Sequence, residues 1–192
     1  MKILFITSSL NPNDGWGRYS EGLAKALRGN NDIRIISSEL SEKSNLKVGV
    51  ILNRPEKYLS NPLRSFMAAR KMGQVINSFN PDAIHFLVEP YITILPFLKL
   101  NPKTKVFLTA HGTYSFLPSV FTGEKIKAFF TKSLVLRSFK RLNGIIAVSS
   151  YTKEHILREY RKTYGEEYQK GSAIWWKNRL RYRWETSGKL VC

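Results

Sequence analysis

Val106-Phe-Leu-Thr-Ala-His-Gly-Thr113 is the stretch that decides the fold class of this sequence. It opens with the apolar run Val106 to Leu108, which is typical of a buried β-strand. Small residues follow at once and place His111 where the predicted strand ends. Ligands of open α/β sheets bind at the carboxyl ends of the strands. The stretch therefore predicts such a sheet, with a candidate site residue at its edge.

Outward from this stretch, strands and helices alternate along the chain. Besides 106–109, apolar runs predict strands at 2–6, 33–36, 48–52, 83–87 and 144–148. Helical spacing of apolar residues predicts helices at 18–27, 63–79, 91–99 and 124–142, and a further one beginning near Thr152. Because several strands are almost continuously apolar, we expect a mainly parallel sheet with helices on both faces. This is a three-layer, Rossmann-like α/β domain.

The composition is that of a globular domain with an unusual charge. The 192 residues are 43% hydrophobic and 23% charged, which suffices for one domain with a core. Lysine and arginine number 31 against 14 acidic residues, so that the net charge is +17. This charge favours anionic partners such as phosphates, anionic lipid head groups or nucleic acid. A solvated basic surface without a partner is the alternative.

Nothing in the sequence predicts export or a membrane span. The apolar run Ile3 to Ile6 is too short for a signal peptide, and no segment approaches the roughly 20 apolar residues of a spanning helix. The single cysteine, Cys192, excludes a disulfide framework. We expect a cytoplasmic protein, peripheral at the inner membrane surface if it contacts lipid.

The turn after the first strand, Asn13-Asp-Gly-Trp-Gly-Arg18, is a candidate anion site. Gly15 and Gly17 would let the backbone approach a ligand, and the N-terminus of the next helix offers N–H groups to a phosphate. Arg18 adds a positive charge. A flexible loop that merely needs glycines explains the turn as well. Dinucleotide binding is disfavoured, because the next glycine is Gly22 and the G-x-G-x-x-G spacing fails.

The three histidines differ in what their positions predict. His111, followed by Gly112, stands at a strand end, where a neutral imidazole can donate to a hydroxyl or shield a positively charged centre. A loop histidine without a role is the alternative. His85 lies inside an apolar strand and is predicted to be a satisfied core residue, while His155 is a weaker candidate. Glu89 follows the strand of His85 and is expected at the same sheet edge as His111.

The predicted helix 124–142 combines basic and apolar side chains. The basic residues are Lys125, Lys127, Lys132, Arg137, Lys140 and Arg141, and the apolar ones include Phe129, Phe130, Leu134, Leu136 and Phe139. Such a helix can lie on an anionic membrane, although packing of its apolar face on the sheet is the commoner arrangement.

Metal chemistry is not predicted. The sequence has no C-x-x-C or H-E-x-x-H motif, and its three aspartates, Asp14, Asp32 and Asp82, are too isolated for a D-x-D site.

The alternation of elements breaks near residue 160. The following segment includes Trp175-Trp-Lys-Asn-Arg-Leu-Arg-Tyr-Arg-Trp184 and has neither a strand period nor a helical stripe. We therefore divide the chain into a domain at 1–158 and a basic, aromatic tail at 159–192, which we expect to be poorly ordered. The abrupt change indicates a truncated or frameshifted end.

Residues 1–158 resemble the N-terminal domain of a family 4 glycosyltransferase of the GT-B fold. The matching stretches, in chain order, are MKILFITSSL (1–10), RYSEGLAKAL (18–27), PDAIHFLVEP (81–90), VFLTAHGT (106–113) and RLNGIIAVSSYTKEHI (141–156).

The resemblance implies transfer of a glycosyl group from a nucleotide-sugar donor to a saccharide or lipid-linked acceptor. It implies that Gly15, Gly17 and Arg18 lie near the donor phosphates or sugar, and that His111 is catalytic at the donor sugar or reacting centre. The candidates on the acceptor side are Trp16, Glu89, Gly112 and Thr113. Such enzymes are retaining and need no metal ion or other cofactor, which agrees with the missing D-x-D motif.

The family's second domain, which binds the nucleotide, has no counterpart here. Glu159 and Glu167 have the E-x7-E spacing of that domain but stand in the wrong place. The chain alone is therefore predicted to be inactive. Two other functions remain open: a non-catalytic module that binds an acceptor or a membrane, and a nucleic-acid binder. The second ranks last because no nucleic-acid module is recognisable.

Overall fold

A computed structural model describes residues 1–39, 48–112, 125–164 and 173–176. The strands are β1 Lys2–Ile6, β2 Asp32–Ser37, β3 Val48–Ile51, β4 Ala83–Phe86, β5 Lys105–Ala110, β6 Gly144–Ala147 and β7 Ala173–Trp176. The helices are α1 Gly15–Leu27, α2 Glu56–Ser60, α3 Pro62–Phe79, α4 Lys125–Phe139 and α5 Ser150–Tyr164, with 3₁₀ helices at Arg28–Asn30 and Glu89–Phe97. Within this part of the chain, the strands form one parallel sheet in the order β3-β2-β1-β4-β5-β6-β7.

Alternate residues of the central strand β1 enter two separate cores. Leu4 and Ile6 join a cluster to which α3 and α4 contribute, whereas Ile3 and Phe5 join another, to which α1 contributes. Successive side chains of a strand point to opposite faces of a sheet. The helices therefore cover both faces, and the prediction of a Rossmann-like α/β domain is confirmed.

The start and the end of helix α3 are determined by residues of the local sequence. The Asn61 side chain accepts a hydrogen bond from Leu63 N at 3.0 Å, and Pro62 occupies the first helical position, where no N–H is needed. Asn80 ends the helix in the left-handed region, with φ of 47°. The helix predicted at 63–79 is found at Pro62–Phe79.

Two other helices differ from the prediction. The segment 91–99 is a 3₁₀ helix at Glu89–Phe97, and Pro96 inside it has no N–H for α-helical bonding. The helix predicted to reach residue 142 ends at Phe139, because Arg141 N and Leu142 N bond three residues back and turn the chain. Glu124, its predicted start, lies outside the described residues.

The tail predicted at 159–192 contains regular structure in two places. Helix α5 extends to Tyr164, past the predicted boundary, and Ala173–Trp176 pairs with β6 as the parallel strand β7. The main-chain groups of an edge strand can pair with a segment that has no side-chain period. The division at residue 158 and the poor order of the tail stay predictions. The remaining tail residues, including Glu167 and Cys192, lie outside the described part.

The strand order reverses beside β1, which has β2 on one side and β4 on the other. Such a switch point opens a crevice at the carboxyl ends of the strands. Leu87 N, just after β4, donates to Ile6 O at the end of β1 over 2.8 Å and holds the two ends together. Thr7, which follows β1, bonds through its hydroxyl to Ser20 of α1 at 2.6 Å. The start of α1 is thereby positioned at the crevice.

Candidate functional site

Asp14 and Gly17 shape the turn between β1 and α1. The Asp14 carboxylate accepts a hydrogen bond from Gly17 N at 2.6 Å and caps the helix. A Cβ on Gly17 would lie 2.1 Å from the carbonyl oxygen of Asn11, so only glycine fits this position. Packing of the turn on itself is thus a physical reason for Gly17 that the sequence alone did not show. Its place beside the donor stays a prediction.

Gly15 is not closely packed as Gly17 is. Apart from its own stretch of helix, no atom lies within 4 Å of the place where its Cβ would be. It borders a cavity of about 400 Å³, here called the site cavity. The lining residues come from three strand ends: Ser8, Ser9, Asp14, Gly15 and Trp16 after β1, Ser38 and Glu39 after β2, and Arg54, Pro55 and Glu56 after β3. A cavity at this edge is what the sequence predicted from parallel strand ends.

Trp16 and Arg18 are two residues apart but differ in burial and in whether they line the site cavity. Trp16 is half-buried, packs on the larger core cluster and lines the site cavity. Arg18 is exposed and does not line the cavity. Its Nε donates to the carbonyl oxygen of Pro12 at 3.0 Å, which holds it against the outer side of the turn.

The site cavity offers groups of three kinds. The hydroxyls of Ser8, Ser9 and Ser38 and the carboxylates of Asp14, Glu39 and Glu56 can accept hydrogen bonds. The indole of Trp16 provides a flat apolar surface. Arg54 provides a cation for an anionic group. Together these groups suit a small ligand that is rich in hydroxyls.

A chain of polar contacts links β4, β5 and α1 beside this cavity. His85 Nε2 lies 2.9 Å from Thr109 Oγ1, and the Tyr19 hydroxyl lies 3.2 Å from the same oxygen. The Tyr19 ring meets the His111 ring edge-to-face, with 5.0 Å between centroids and an interplanar angle of 85°. Tyr19 therefore joins the buried pair to the histidine at the sheet edge.

His85 is a core residue, as its place in an apolar strand predicted. Burial lowers the pKa of His85 to about 3, and the charge of His111 has a smaller effect in the same direction. The imidazole is therefore neutral at physiological pH and serves as a hydrogen-bonding partner of Thr109. The prediction of a satisfied core histidine is confirmed.

The other candidates lie at the same sheet edge but not in the site cavity. His111 and Gly112 follow β5 and are half-buried. Glu89 begins the 3₁₀ helix after β4 and is only 2% exposed, so that it belongs to the interior. None of these three lines the site cavity. Thr113 lies outside the described residues.

Several residues of the site were not predicted from sequence. Ser8 and Ser9 directly follow β1, so that their position at a strand end was a usable signal. Glu39, which follows β2, also lines the site cavity. Arg54 and Tyr19 carry no local signal, because their places depend on how β3 and α1 pack beside other strands.

Helix α4 buries some of the apolar residues named from the sequence, Leu134 and Phe139 among them, together with two hydroxyl side chains. Its buried residues are Ala128, Thr131, Leu134, Val135, Ser138 and Phe139. The hydroxyls of Thr131 and Ser138 bond to the carbonyl oxygens of Leu59 and Ile92. Phe129 and Phe130 are 72% and 57% exposed, so these two residues of the apolar set lie outside the core.

Two features are absent from the described residues. No helix among them has both the length and the apolarity needed to cross a membrane. No group of three or more His, Cys, Asp and Glu side chains within these ranges could hold a metal ion.

The parallel sheet, its switch point beside β1 and the cavity at the strand ends define a Rossmann-like α/β domain. Residues 13–164 match the model of Glycosyltransferase Family 4. The chain therefore belongs to glycosyltransferase family 4, and the resemblance found in the sequence is confirmed.

Among solved structures, the chain is similar to a crystal structure of Glycyrrhiza uralensis UGT73P12 complexed with glycyrrhetinic acid 3-O-monoglucuronide. The identity is 12% and the TM-score is 0.44, with 91% of this chain and 48% of that chain covered. This chain thus spans about half the length of that protein. A comparison with curated proteins finds no match.

Proposed function

We propose that this chain is the acceptor-side half of a glycosyltransferase that moves a glycosyl group from a nucleotide-sugar donor to a saccharide or lipid-linked acceptor. The observation that carries the proposal is the site cavity, which lies at the carboxyl edge of the sheet in a member of glycosyltransferase family 4. Its volume of about 400 Å³ falls within the range of small-molecule sites.

The acceptor is assigned to the site cavity because of the groups that line it. Serine hydroxyls and the carboxylates of Glu39 and Glu56 would bind the hydroxyls of a saccharide, and Trp16 would pack on the apolar face of its ring. Glu89, Gly112 and Thr113 remain acceptor-side candidates from the sequence. Glu89 is buried and would act by supporting the sheet edge.

The donor is assigned to the outer side of the same edge. Gly15, Gly17 and Arg18 are the proposed phosphate contacts, and His111 the proposed catalytic contact to the donor sugar. Breaking the bond to the diphosphate requires preorganised positive groups around the leaving oxygens. Arg18 supplies only one positive group, which is not enough to stabilise the leaving diphosphate. We therefore assign most of these groups to a second domain.

Activity of the chain alone and of a two-domain protein tests this proposal. The purified chain is expected to show no turnover of UDP- or GDP-sugars above a buffer blank, whereas fusion to a nucleotide-binding domain restores transfer. Robust turnover by the chain alone would contradict the assignment of the donor groups.

A non-catalytic membrane-binding module is the second candidate function, and helix α4 favours it. Ile126, Phe129 and Phe130 are exposed on its first turns, beside the exposed Lys125 and Lys127. Exposed aromatic and basic side chains on one helix suit an anionic lipid surface. We propose that this surface, at the cytoplasmic side of the membrane, brings the site cavity to its acceptor.

Replacing Lys125 and Lys127 with glutamine is expected to weaken co-sedimentation with phosphatidylglycerol-containing vesicles about 30-fold. Each lysine near an anionic surface contributes about 1 kcal/mol. The matched control replaces Lys99 and Lys103, which are exposed before β5 at the opposite edge of the sheet, and should leave binding unchanged. Equal losses in both variants, or equal binding to pure phosphatidylcholine, would count against a membrane surface on α4.

A further inference from the structure

A second cavity, here called the α3 groove, lies between the start of α3 and the segment that follows β3. Its volume is about 270 Å³. It is lined by Leu52, Asn53, Tyr58, Asn61, Leu63, Arg64, Met67, Ala68 and Lys71. The acceptor and donor assignments above use none of these residues.

One wall of the α3 groove is a stripe of a single helix. Arg64, Met67, Ala68 and Lys71 stand at positions i, i+3, i+4 and i+7, which share one face of α3. The two cations are therefore separated by about 10 Å along the helix axis, with apolar side chains between them. A ligand that fits this wall has both an anionic and an apolar part.

The apolar part of the α3 groove continues from the interior to the surface. Leu52, Tyr58 and Ala68 are buried at its base, whereas Leu63 and Met67 are 62% and 57% exposed. An alkyl chain laid in the groove would cover the two exposed side chains and remove their apolar surface from water.

The polar part of the α3 groove centres on Arg64. This residue is half-buried, and within the described ranges the structure shows no ion pair between a carboxylate and either Arg64 or Lys71. Burial raises the pKa of Tyr58, and the charge of Arg64 is among the opposing effects, so its guanidinium lies near that hydroxyl. A half-buried guanidinium without an anion is unfavourable, and a phosphate would match it with two parallel hydrogen bonds.

The wall opposite α3 is held in place by two buried tyrosines. Asn53 N donates to the Tyr58 hydroxyl at 3.1 Å, and the Tyr91 hydroxyl donates to Asn53 O at 2.9 Å. The same segment separates the two cavities, since Asn53 lines the α3 groove and the next residue, Arg54, lines the site cavity. A ligand in the groove therefore lies directly beside the candidate site.

We propose that the α3 groove binds a phosphate-bearing amphiphile, with the phosphate on Arg64 and the alkyl chain along Leu63 and Met67. The acceptor of this transferase is then a lipid phosphate, whose glycosyl-accepting part extends past Asn53 into the site cavity. This last step rests on the proposed function, whereas binding in the groove does not.

Titration of the full chain with decyl phosphate, kept below its micelle concentration, tests the proposal by calorimetry. Replacing Arg64 with glutamine is expected to weaken binding about ten-fold or more, because a charge-assisted bidentate contact is lost. Arg70→Gln is the matched control, since Arg70 lies on the same helix, is exposed and does not line the groove. Lys71→Gln, at an exposed position, provides a second variant that leaves the core untouched.

The apolar contact has its own pair of variants. Met67→Gln is expected to weaken decyl phosphate binding, whereas Phe66→Gln, exposed on the same helix but outside the groove, is not. Inorganic phosphate and decyl maltoside should each bind at least ten-fold more weakly than decyl phosphate, because each lacks one part of the ligand. Equal affinity for either of them, or equal losses in Arg64→Gln and Arg70→Gln, would overturn the proposal.

The experiment can reject the α3 groove without rejecting the proposed function, and the reverse also holds. Transfer to a water-soluble saccharide by a two-domain enzyme, without binding of decyl phosphate, would reject the groove and leave the transferase. Decyl phosphate binding that depends on Arg64, in a protein without transferase activity in any two-domain form, would reject the transferase and leave the groove.

Discussion

Replacing Gly17 with alanine is expected to lower the free energy of unfolding by about 3 kcal/mol, at the upper end of typical overpacking effects. The new Cβ would lie 2.1 Å from the carbonyl oxygen of Asn11 and 2.7 Å from its nitrogen. These are backbone atoms, so no flexible side chain can move aside. Relief requires a shift of the turn or of the first turn of α1, which carries Trp16. Urea unfolding of the variant and the wild type measures the loss.

Gly15→Ala is the matched control, because Gly15 also lies in the first turn of α1 but has open space where a Cβ would be. It should change the free energy of unfolding by less than about 1 kcal/mol, and in the stabilising direction, since alanine favours a helix over glycine. Similar losses in both variants would show that the turn needs glycine flexibility rather than the close packing at Gly17.

Acidification is expected to destabilise the domain through His85. Its pKa in the folded protein is about 3, well below the ordinary value of 6.5. Above pH 6.5 the imidazole is neutral in both the folded and the unfolded chain, and its contribution to stability is complete. Below pH 6.5 only the unfolded chain takes up the proton, so stability falls by up to about 1.4 kcal/mol for each pH unit until about pH 3.

The measurement is urea unfolding at pH 6.5 and 4.5 for the wild type and for His85→Gln. Glutamine can still bond to Thr109 but does not titrate, so the wild type should lose about 2 kcal/mol more than the variant over this interval. His155→Gln is the control, since His155 is less buried and should leave most of the slope. Parallel slopes for the wild type and His85→Gln would contradict the assignment to His85.

The ends of elements were predictable where a side chain caps its own backbone. Asn61 with Pro62 starts α3, and the Ser149 hydroxyl accepts a hydrogen bond from Thr152 N at the start of α5, near the predicted start. Such contacts span two or three residues and are therefore determined by the local sequence. Strand β7 was not predictable, because its pairing with β6 depends on the main chain of a distant segment.

The candidate site was predictable only in part. The glycine turn directed attention to Gly15 and Trp16, which line the site cavity, and the end of β5 to His111 at the same edge, although their roles stay predictions. Arg54 was not found, because it enters the cavity only when β3 pairs beside β2. Nor did the sequence show that Phe129 and Phe130 are exposed, since helical spacing alone does not tell which face of α4 packs on the sheet.

The amino-acid sequence by itself determined the alternation of strands and helices, the parallel sheet and membership of glycosyltransferase family 4. These features rest on apolar periodicity and on motifs in chain order, which are local properties. Only the tertiary structure decided that Gly17 packs against Asn11, that Thr109 joins His85 to Tyr19, and that Arg64 faces a groove beside the candidate site. The first contact depends on how the turn after β1 folds back on itself, and the other two depend on how helices and strands pack together. A period along the chain carries no information about such distances.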